Sequence, residues 1–369
     1  MLPTPTQPGP YGTLIADHHR RDGGPRRGWE DGRMRITALA GGIGGARFLR
    51  GLLHHLHTDP SRYPDAEVTV IGNTADDITL HGLRVCPDLD TVMYTLGGGI
   101  HEEQGWGRAG ETFGVAAELA AYGQGPQWFT LGDRDVATHV VRTRMLGQGA
   151  TLSQVTAALC ERWRPGVRLL PMSDDRVETH VVIEDADAPG GERAIHFQEW
   201  WVRLHAAVPA RRILAVGIEQ AAPAPGVLDA VRTADVVLVP PSNPVVSIGT
   251  ILGVPGVRDA MRGTRAPVVG VSPIVGGAPV RGMADACLTA IGVQTSASAV
   301  AGLYADFLSG WLVDDVDGAM AAASLTAVGR GPAVVARPLL MSDVPAAAAI
   351  AGAALDLGLR LAGERAPAS

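Results

Sequence analysis

From Met34 onward, short unbroken apolar runs alternate with stretches of helical apolar spacing. Residues 36–40, 68–72, 212–217, 236–239 and 268–271 read as strands. Residues 46–57, with Phe48, Leu52, Leu53 and Leu56 on one face, read as a helix, as do 112–122, 152–162 and 227–234. Continuous apolar strands separated by helices indicate a parallel sheet covered on both faces. The predicted fold is therefore α/β, a Rossmann-like, mostly parallel sheet flanked by helices. Ligands of such sheets bind beyond the carboxyl ends of the strands.

Three stretches depart from the alternation. Residues 135–211 carry Pro165, Pro171, Pro189 and Gly190-Gly191, and read as an inserted helical and β-hairpin subdomain that covers the site. Residues 1–33 combine Pro3, Pro5, Pro8, Pro10 and Pro25 with Arg20, Arg21, Arg26, Arg27 and Arg33 and lack apolar periodicity. They read as a disordered leader ahead of one folded domain, 34–369. An alanine-rich run from Ala346 to Ala354, followed by Leu355, Leu357 and Leu359, predicts a packing helix without chemistry.

Composition narrows the function classes. The 369 residues are 46% hydrophobic and 19% charged, a globular balance. A formal net charge of −7 does not favour a duplex-binding surface, so no nucleic-acid partner is expected. Three cysteines, Cys86, Cys160 and Cys287, without C-x-x-C spacing, argue against a disulfide scaffold or a structural zinc. No apolar run reaches about 18 residues and no signal-peptide core is seen, so a reducing, cytoplasmic setting without a membrane partner is expected.

The strongest chemical signal follows the first strand. Gly41, Gly42, Gly44 and Gly45 lie between that strand and a helix, an arrangement that holds phosphates on free N–H groups. Arg47 stands where a dinucleotide fingerprint needs its third glycine, and no lysine follows as in a P-loop. A plain tight turn has the same appearance, so the glycines alone do not name a ligand.

Four carboxylates arise nearby, Asp76 and Asp77 after the second strand and Asp88 and Asp90 in Cys86-Pro87-Asp88-Leu89-Asp90. Carboxylates facing phosphates need a hard cation between them, and Mg²⁺ is held in this way. Asp76 and Asp88 also suit turns or helix caps. Asp77 and Asp90 are the better candidates for ligand or metal work. Gly132-Asp133-Arg134-Asp135 is either a local ion-pair cluster or a device aiming Arg134 at a phosphate after a strand. Ser242, Asn243 and Pro244, in a proline-stiffened loop after the strand 236–239, offer donors for a base or phosphate. Ser272-Pro273 repeats that arrangement one strand later. Trp200-Trp201 suits a core or an interface, and hints at a homodimer. Asp174, Asp175, Arg281 and Asp285 read as structural. No G-x-S-x-G or H-E-x-x-H is present, which disfavours a covalent intermediate.

Eight segments in order, GGIGGARFLRGL, GNTADD, CPDLDTVMYTLGGGI, LGDRDVATH, LLPMSDD, HFQEWWV, PPSNPVVSIG and SPIVGGAPVRGMAD, resemble the CofD/FbiA family. These are the 2-phospho-lactate or phosphoenolpyruvate transferases of deazaflavin coenzyme F-420 biosynthesis. The GGIGGAR form is similar to the actinobacterial branch. The resemblance implies a donor, enolpyruvoyl-2-diphospho-5'-guanosine, whose enolpyruvyl-phosphate group (or a phospholactyl group) moves to the terminal ribityl hydroxyl of the deazaflavin Fo. GMP leaves, Mg²⁺ is required, and dehydro coenzyme F-420-0 forms. It further implies that Gly41, Gly42, Gly44 and Gly45 cradle the diphosphate and that Ser242, Asn243 and Pro244 hold the guanosine half. Asp77 and Asp90 would bind Mg²⁺ or the acceptor hydroxyl, one of them as base. Thr130, Asp133 and Arg134 would lie near substrate, with Thr130 where archaeal relatives often carry lysine. Two other classes share parts of the pattern. A nonenzymatic nucleotide-sugar regulator of the YvcK-like type would not need the Pro-Asp-Leu-Asp and Gly-Asp-Arg-Asp set. A nicotinamide dehydrogenase is disfavoured by Arg47.

Overall fold

Burial on both faces accounts for the unbroken apolar runs. The computed structural model describes residues 33–63, 65–326 and 331–365; the leader read over 1–33 lies outside them except for Arg33. Its strands are β1 (Arg35–Ala40), β2 (Glu67–Gly72), β3 (Ile78–Leu80), β4 (Leu83–Val85), β5 (Arg168–Pro171), β6 (Glu178–Glu184), β7 (Glu192–His196), β8 (Ala210–Val216), β9 (Val236–Val239), β10 (Val268–Val271), β11 (Ile274–Val275), β12 (Ala278–Pro279), β13 (Gly310–Val313) and β14 (Ala333–Ala336). Its helices are α1 (Gly42–Thr58), α2 (Pro87–Leu96), α3 (Gly114–Ala121), α4 (Asp133–Gly147), α5 (Leu152–Trp163), α6 (Val227–Arg232), α7 (Ile248–Gly253), α8 (Val257–Gly263), α9 (Ala284–Ala290), α10 (Ala297–Gly302), α11 (Gly318–Thr326) and α12 (Val344–Arg365).

Seven strands form one parallel sheet in the order β14-β13-β10-β9-β1-β2-β5. Every residue of β9, β10 and β13 is buried, as a strand covered on both faces requires. On one face α1 buries Phe48, Leu49, Leu52 and Leu56, each stabilising by roughly 1.5–3 kcal/mol. α12 packs on α1, β9, β10 and β13 through small residues. A Cβ on Gly51 of α1 would stand 2.4 Å from the Ala347 carbonyl carbon, so the two helices approach backbone to side. α12, expected as a packing helix, contains an 18-residue window of mean hydropathy 1.5 and so is long and apolar enough to cross a membrane. Half of it is buried inside the protein, where its apolar face completes the core.

The segment read as an insert is interrupted. α4 and α5 lead into β5, which joins the main sheet beside β2 despite Pro171. Then β7-β6-β8 form a separate antiparallel sheet. The expected main-sheet strand at 212–217 belongs to this second sheet as part of β8. None of the β8 residues is fully buried, because Arg211 and Arg212 interrupt the apolar run and one face meets water.

Candidate active site

The chain fills the main sheet from β1 outward through β2 to β5, then returns to the other side of β1 with β9. At such a reversal the loops leaving the two central strands part and open a crevice. Here those loops are the glycine turn after β1 and the segment 240–247 after β9, and they touch. Ser242 Oγ accepts from the Gly41 N–H at 3.1 Å and donates to the Gly41 carbonyl at 2.8 Å. A Cβ on Gly44 would stand 2.3 Å from the Pro241 carbonyl oxygen, so only glycine permits this approach. Gly42 opens α1 with φ +60°, a left-handed conformation that glycine adopts without strain. Gly45 lies against Ser242, and Gly41 against Asp88 and Ser247.

The rest of the loop after β9 is braced internally. Asn243 Oδ1 accepts from the N–H groups of Val245 and Val246 at 2.9 and 3.2 Å, and the Pro244 carbonyl accepts from Gly249 at 3.1 Å. The side-chain oxygens of Ser242 and Asn243 thus shape the loop, and among the described residues Asn243 Nδ2 has only the weak acceptor Cys287 Sγ at 3.5 Å.

The four acidic residues come together beside the glycine turn, all buried. Asn73, at the end of β2, donates from Nδ2 to Asp76 at 3.1 Å and to Asp88 at 2.9 Å. Its Oδ1 accepts from Thr250 and from the Ala75 N–H. Burial raises Asp88 to about 6 against hydrogen bonds from Asn73 and the Gly42 N–H. Burial and the neighbouring Asp88 charge hold Asp76 well above the ordinary carboxylate range. The sequence reading left Asp76 and Asp88 open between ligand work and turn or cap roles, behind Asp77 and Asp90. Both in fact share Asn73 at the foot of the turn, and Asn73 itself was missed. Its place directly after a strand, three residues before an aspartate, was the available signal.

Asp77 and Asp90 form the other half of the cluster, and each faces an arginine that the sequence reading did not single out. Arg84, on the β3–β4 hairpin linking the two acidic loops, lies 3.3 Å from Asp77. Arg142 of α4 is hydrogen-bonded to Asp90 Oδ1, and both side chains are almost wholly out of solvent. Arg142 also donates to His139 Nδ1 at 3.0 Å, which leaves the ring proton on Nε2, 3.3 Å from Asp135. Tyr94 donates to the same Asp135 at 2.7 Å. Burial raises Asp77 to about 7 although Arg84 pulls it down. Among the described residues four buried carboxylate oxygens of this cluster make no hydrogen bond: Asp76 Oδ1, both oxygens of Asp77, of which Oδ2 is ion-paired with Arg84, and Asp90 Oδ2.

The second sheet supports this cluster from below. His196 donates from Nε2 to the Asp77 carbonyl at 3.2 Å, and Gln198 donates to the Asp76 carbonyl at 3.2 Å. Trp200 is a core residue, its Nε1 donating to Val208, whereas Trp201 is partly exposed. The basis for expecting a homodimer narrows to Trp201.

Asp133, Arg134 and Asp135 do not act as one group. Residues 128–131 are not a strand, and α4 begins at Asp133. Consecutive helical side chains diverge, so the two aspartates neither form an ion-pair cluster with Arg134 nor orient its fork. Asp133 accepts from Thr112 and from the N–H groups of Gly114 and Val115, fixing the start of α3. The Thr112 hydrogen bond foremost holds its pKa below the ordinary range. Arg134 donates to the Ala109 carbonyl at 3.3 Å. Thr130 is exposed at the rim of a largely apolar cavity of about 190 Å³ lined by Leu83, Leu119, Phe129 and Val136. That cavity abuts the hairpin carrying Arg84 and the helix carrying Arg142. Asp174 and Asp175 accept from Ser153 and Ala222 and are structural, as expected.

A family model described as 2-phospho-L-lactate transferase CofD matches residues 36–327. The chain belongs to the CofD family. Proteins named phosphoenolpyruvate transferase are similar along their whole length. One from Thermobifida fusca is 65% identical over 331 residues, covering 89% of this chain and 99% of that protein. One from Mycolicibacterium smegmatis is 53% identical, covering 88% and 98%. A crystal structure of a Bacillus halodurans protein superposes with TM-score 0.56 at 18% identity, covering 88% of this chain and 99% of that one. That likeness shows the fold alone, and it is the Rossmann-like fold expected. As a CofD-family member the chain is a transferase of coenzyme F-420 biosynthesis.

Proposed function

We propose that this chain transfers the enolpyruvyl-phosphate (or phospholactyl) group of a guanosine diphosphate-activated three-carbon acid to the terminal ribityl hydroxyl of Fo. The observation that carries this reading is the convergence, at the sheet's reversal point, of a glycine turn with buried acidic side chains that keep oxygens free of hydrogen bonds. The names of the relatives support the phosphoenolpyruvate donor.

The acceptor oxygen forms a bond to the phosphorus carrying the three-carbon acid, the P–O–P bridge breaks, and GMP leaves. Such a transfer needs positioning and charge neutralisation more than covalent help. The glycine turn and the first N–H groups of α1 receive the diphosphate. The braced loop from Ser242 to Pro244 borders the guanosine half. Thr130 and its cavity receive the deazaflavin ring. Asp90, oriented by Arg142, accepts the hydrogen bond of the attacking hydroxyl. Asp77, raised to about 7 by burial, borders the same hydroxyl, and one of the two carboxylates takes its proton as the oxygen attacks.

Among the described residues no three acidic, histidine or cysteine side chains form a ready-made metal cage. Mg²⁺ needs none, since it is held by one or two carboxylates plus phosphate oxygens. The orphaned oxygens of Asp77 and Asp90 suit that role. The ion would neutralise the diphosphate and the departing phosphate.

The test is a mass-spectrometric assay with Fo, Mg²⁺ and each guanylylated acid in turn. Formation of GMP with dehydro coenzyme F-420-0, and its arrest by EDTA, is expected. No product from either acid would overturn the reading.

A further inference from the structure

Ile43, Arg47 and Arg50 fall at positions i, i+4 and i+7 of α1 and share one face. Residues 101–105 are strapped across that face. Arg50 donates to Glu102 at 2.6 Å, and Arg281 donates from Nη2 to the Gln104 carbonyl at 2.7 Å. A Cβ on Gly105 would stand 2.9 Å from Ile43 Cγ2 and 3.4 Å from Arg281 Nη1. The Arg281 guanidinium and the first turn of α1 therefore occupy the same few ångströms. Side chains on a helix lean toward its N-terminus, so Arg47 reaches back to that turn as well.

Neither guanidinium has an ion-pair partner of its own among the described residues, and Glu102 offsets Arg47 only from a distance. Among the described residues Arg47 makes no hydrogen bond or ion pair, and Arg281 has only the Gln104 carbonyl. Glu102, the nearest acid on the strap, is paired with Arg50. Partial burial, then the charges of Arg281 and Arg50, lower the Arg47 pKa. Arg47 is partly out of water and Arg281 is exposed, and two like charges brought this close are unfavourable until an anion joins them. The first turn of α1 adds N–H groups without intrahelical partners, while the Gly42 N–H is taken by Asp88. The combination of two planar forks and free N–H groups suits a dianion with several oxygens better than a carboxylate.

We infer that Arg47 and Arg281 clamp the terminal phosphate of a nucleoside diphosphate lying over the first turn of α1. The inference rests on the nucleotide reading of the site given above, and it adds the two groups that distinguish a diphosphate from a monophosphate.

Isothermal titration of the full chain with GDP and with GMP tests it. Wild type should bind GDP more tightly than GMP. Arg47→Gln and Arg281→Gln should each weaken GDP about tenfold, the worth of one charge-assisted hydrogen bond. GMP affinity and the thermal midpoint should stay within twofold and about one degree of wild type. Arg47→Lys should recover most of the loss. GDP affinity unchanged in both glutamine variants overturns the clamp and leaves the nucleotide site standing. Equal losses for GDP and GMP also overturn it, because the arginines would then serve the fold or the first phosphate. Wild type binding neither nucleotide overturns the site itself.

Discussion

Replacing Arg142 by methionine should destabilise the protein more than most single changes. Arg142 is 2% exposed and Asp90 5%, so water cannot take over when the guanidinium goes. The Asp90 carboxylate would be left buried, close to Asp77, with no guanidinium against it and the imidazole of His139 3.8 Å away. Removing one member of a buried ion pair costs about 3–5 kcal/mol. Urea unfolding followed by circular dichroism measures the loss directly, provided the slope against denaturant is unchanged. The double variant Arg142→Met with Asp90→Asn removes the stranded charge and should recover at least about 2 kcal/mol of it. A single variant within about 1 kcal/mol of wild type, or a double variant no better than the single, would refute the claim that Arg142 neutralises Asp90.

Asp90→Asn, which keeps the shape and an oxygen that accepts from Arg142 although it loses the counter-charge, should abolish product formation with a native circular dichroism spectrum; retained turnover removes Asp90 from the chemistry. Gly44→Ala should cost about 1–3 kcal/mol and weaken GDP binding, since the new methyl meets the Pro241 carbonyl; a variant matching wild type in both respects shows that the loops do not touch. Asp77 and Asp88 have folded pKa values raised to about 7 and 6, and Asp76 is raised too. The native state therefore holds these protons more tightly than the unfolded chain. The stability they contribute is complete below about pH 4 and is lost as pH rises through about 6 to 7. In EDTA, urea midpoints should fall across that window, and Mg²⁺ should restore more at the alkaline end; a flat profile would show that the acids are not shielded from water.

The central strands were legible because β9 and β10 contain nothing polar. β13 and β14 escaped notice because four residues such as Ala333–Ala336, flanked by prolines, look like a loop until the neighbouring strand is seen. β5 was hidden by Pro171. The glycine turn and the proline-rich loop announced themselves, since unusual backbone needs unusual residues. Their partners did not. The pairing of Arg142 with Asp90 spans 52 residues, and no spacing in the chain encodes it. Asp88 carried the signature of a helix-capping acid, and its actual neighbours, Asn73 and Gly41, are set by tertiary packing.

The hydrogen bonds between Gly41 and Ser242 join residues 201 positions apart. The exposed turn at residues 186–191, between β6 and β7, divides the sequence so that the acidic loops fall in the first fragment and the proline-stiffened loop in the second. Neither fragment holds a complete pocket. Cut at that turn, the protein should bind nucleotide only once its halves meet across β1 and β9.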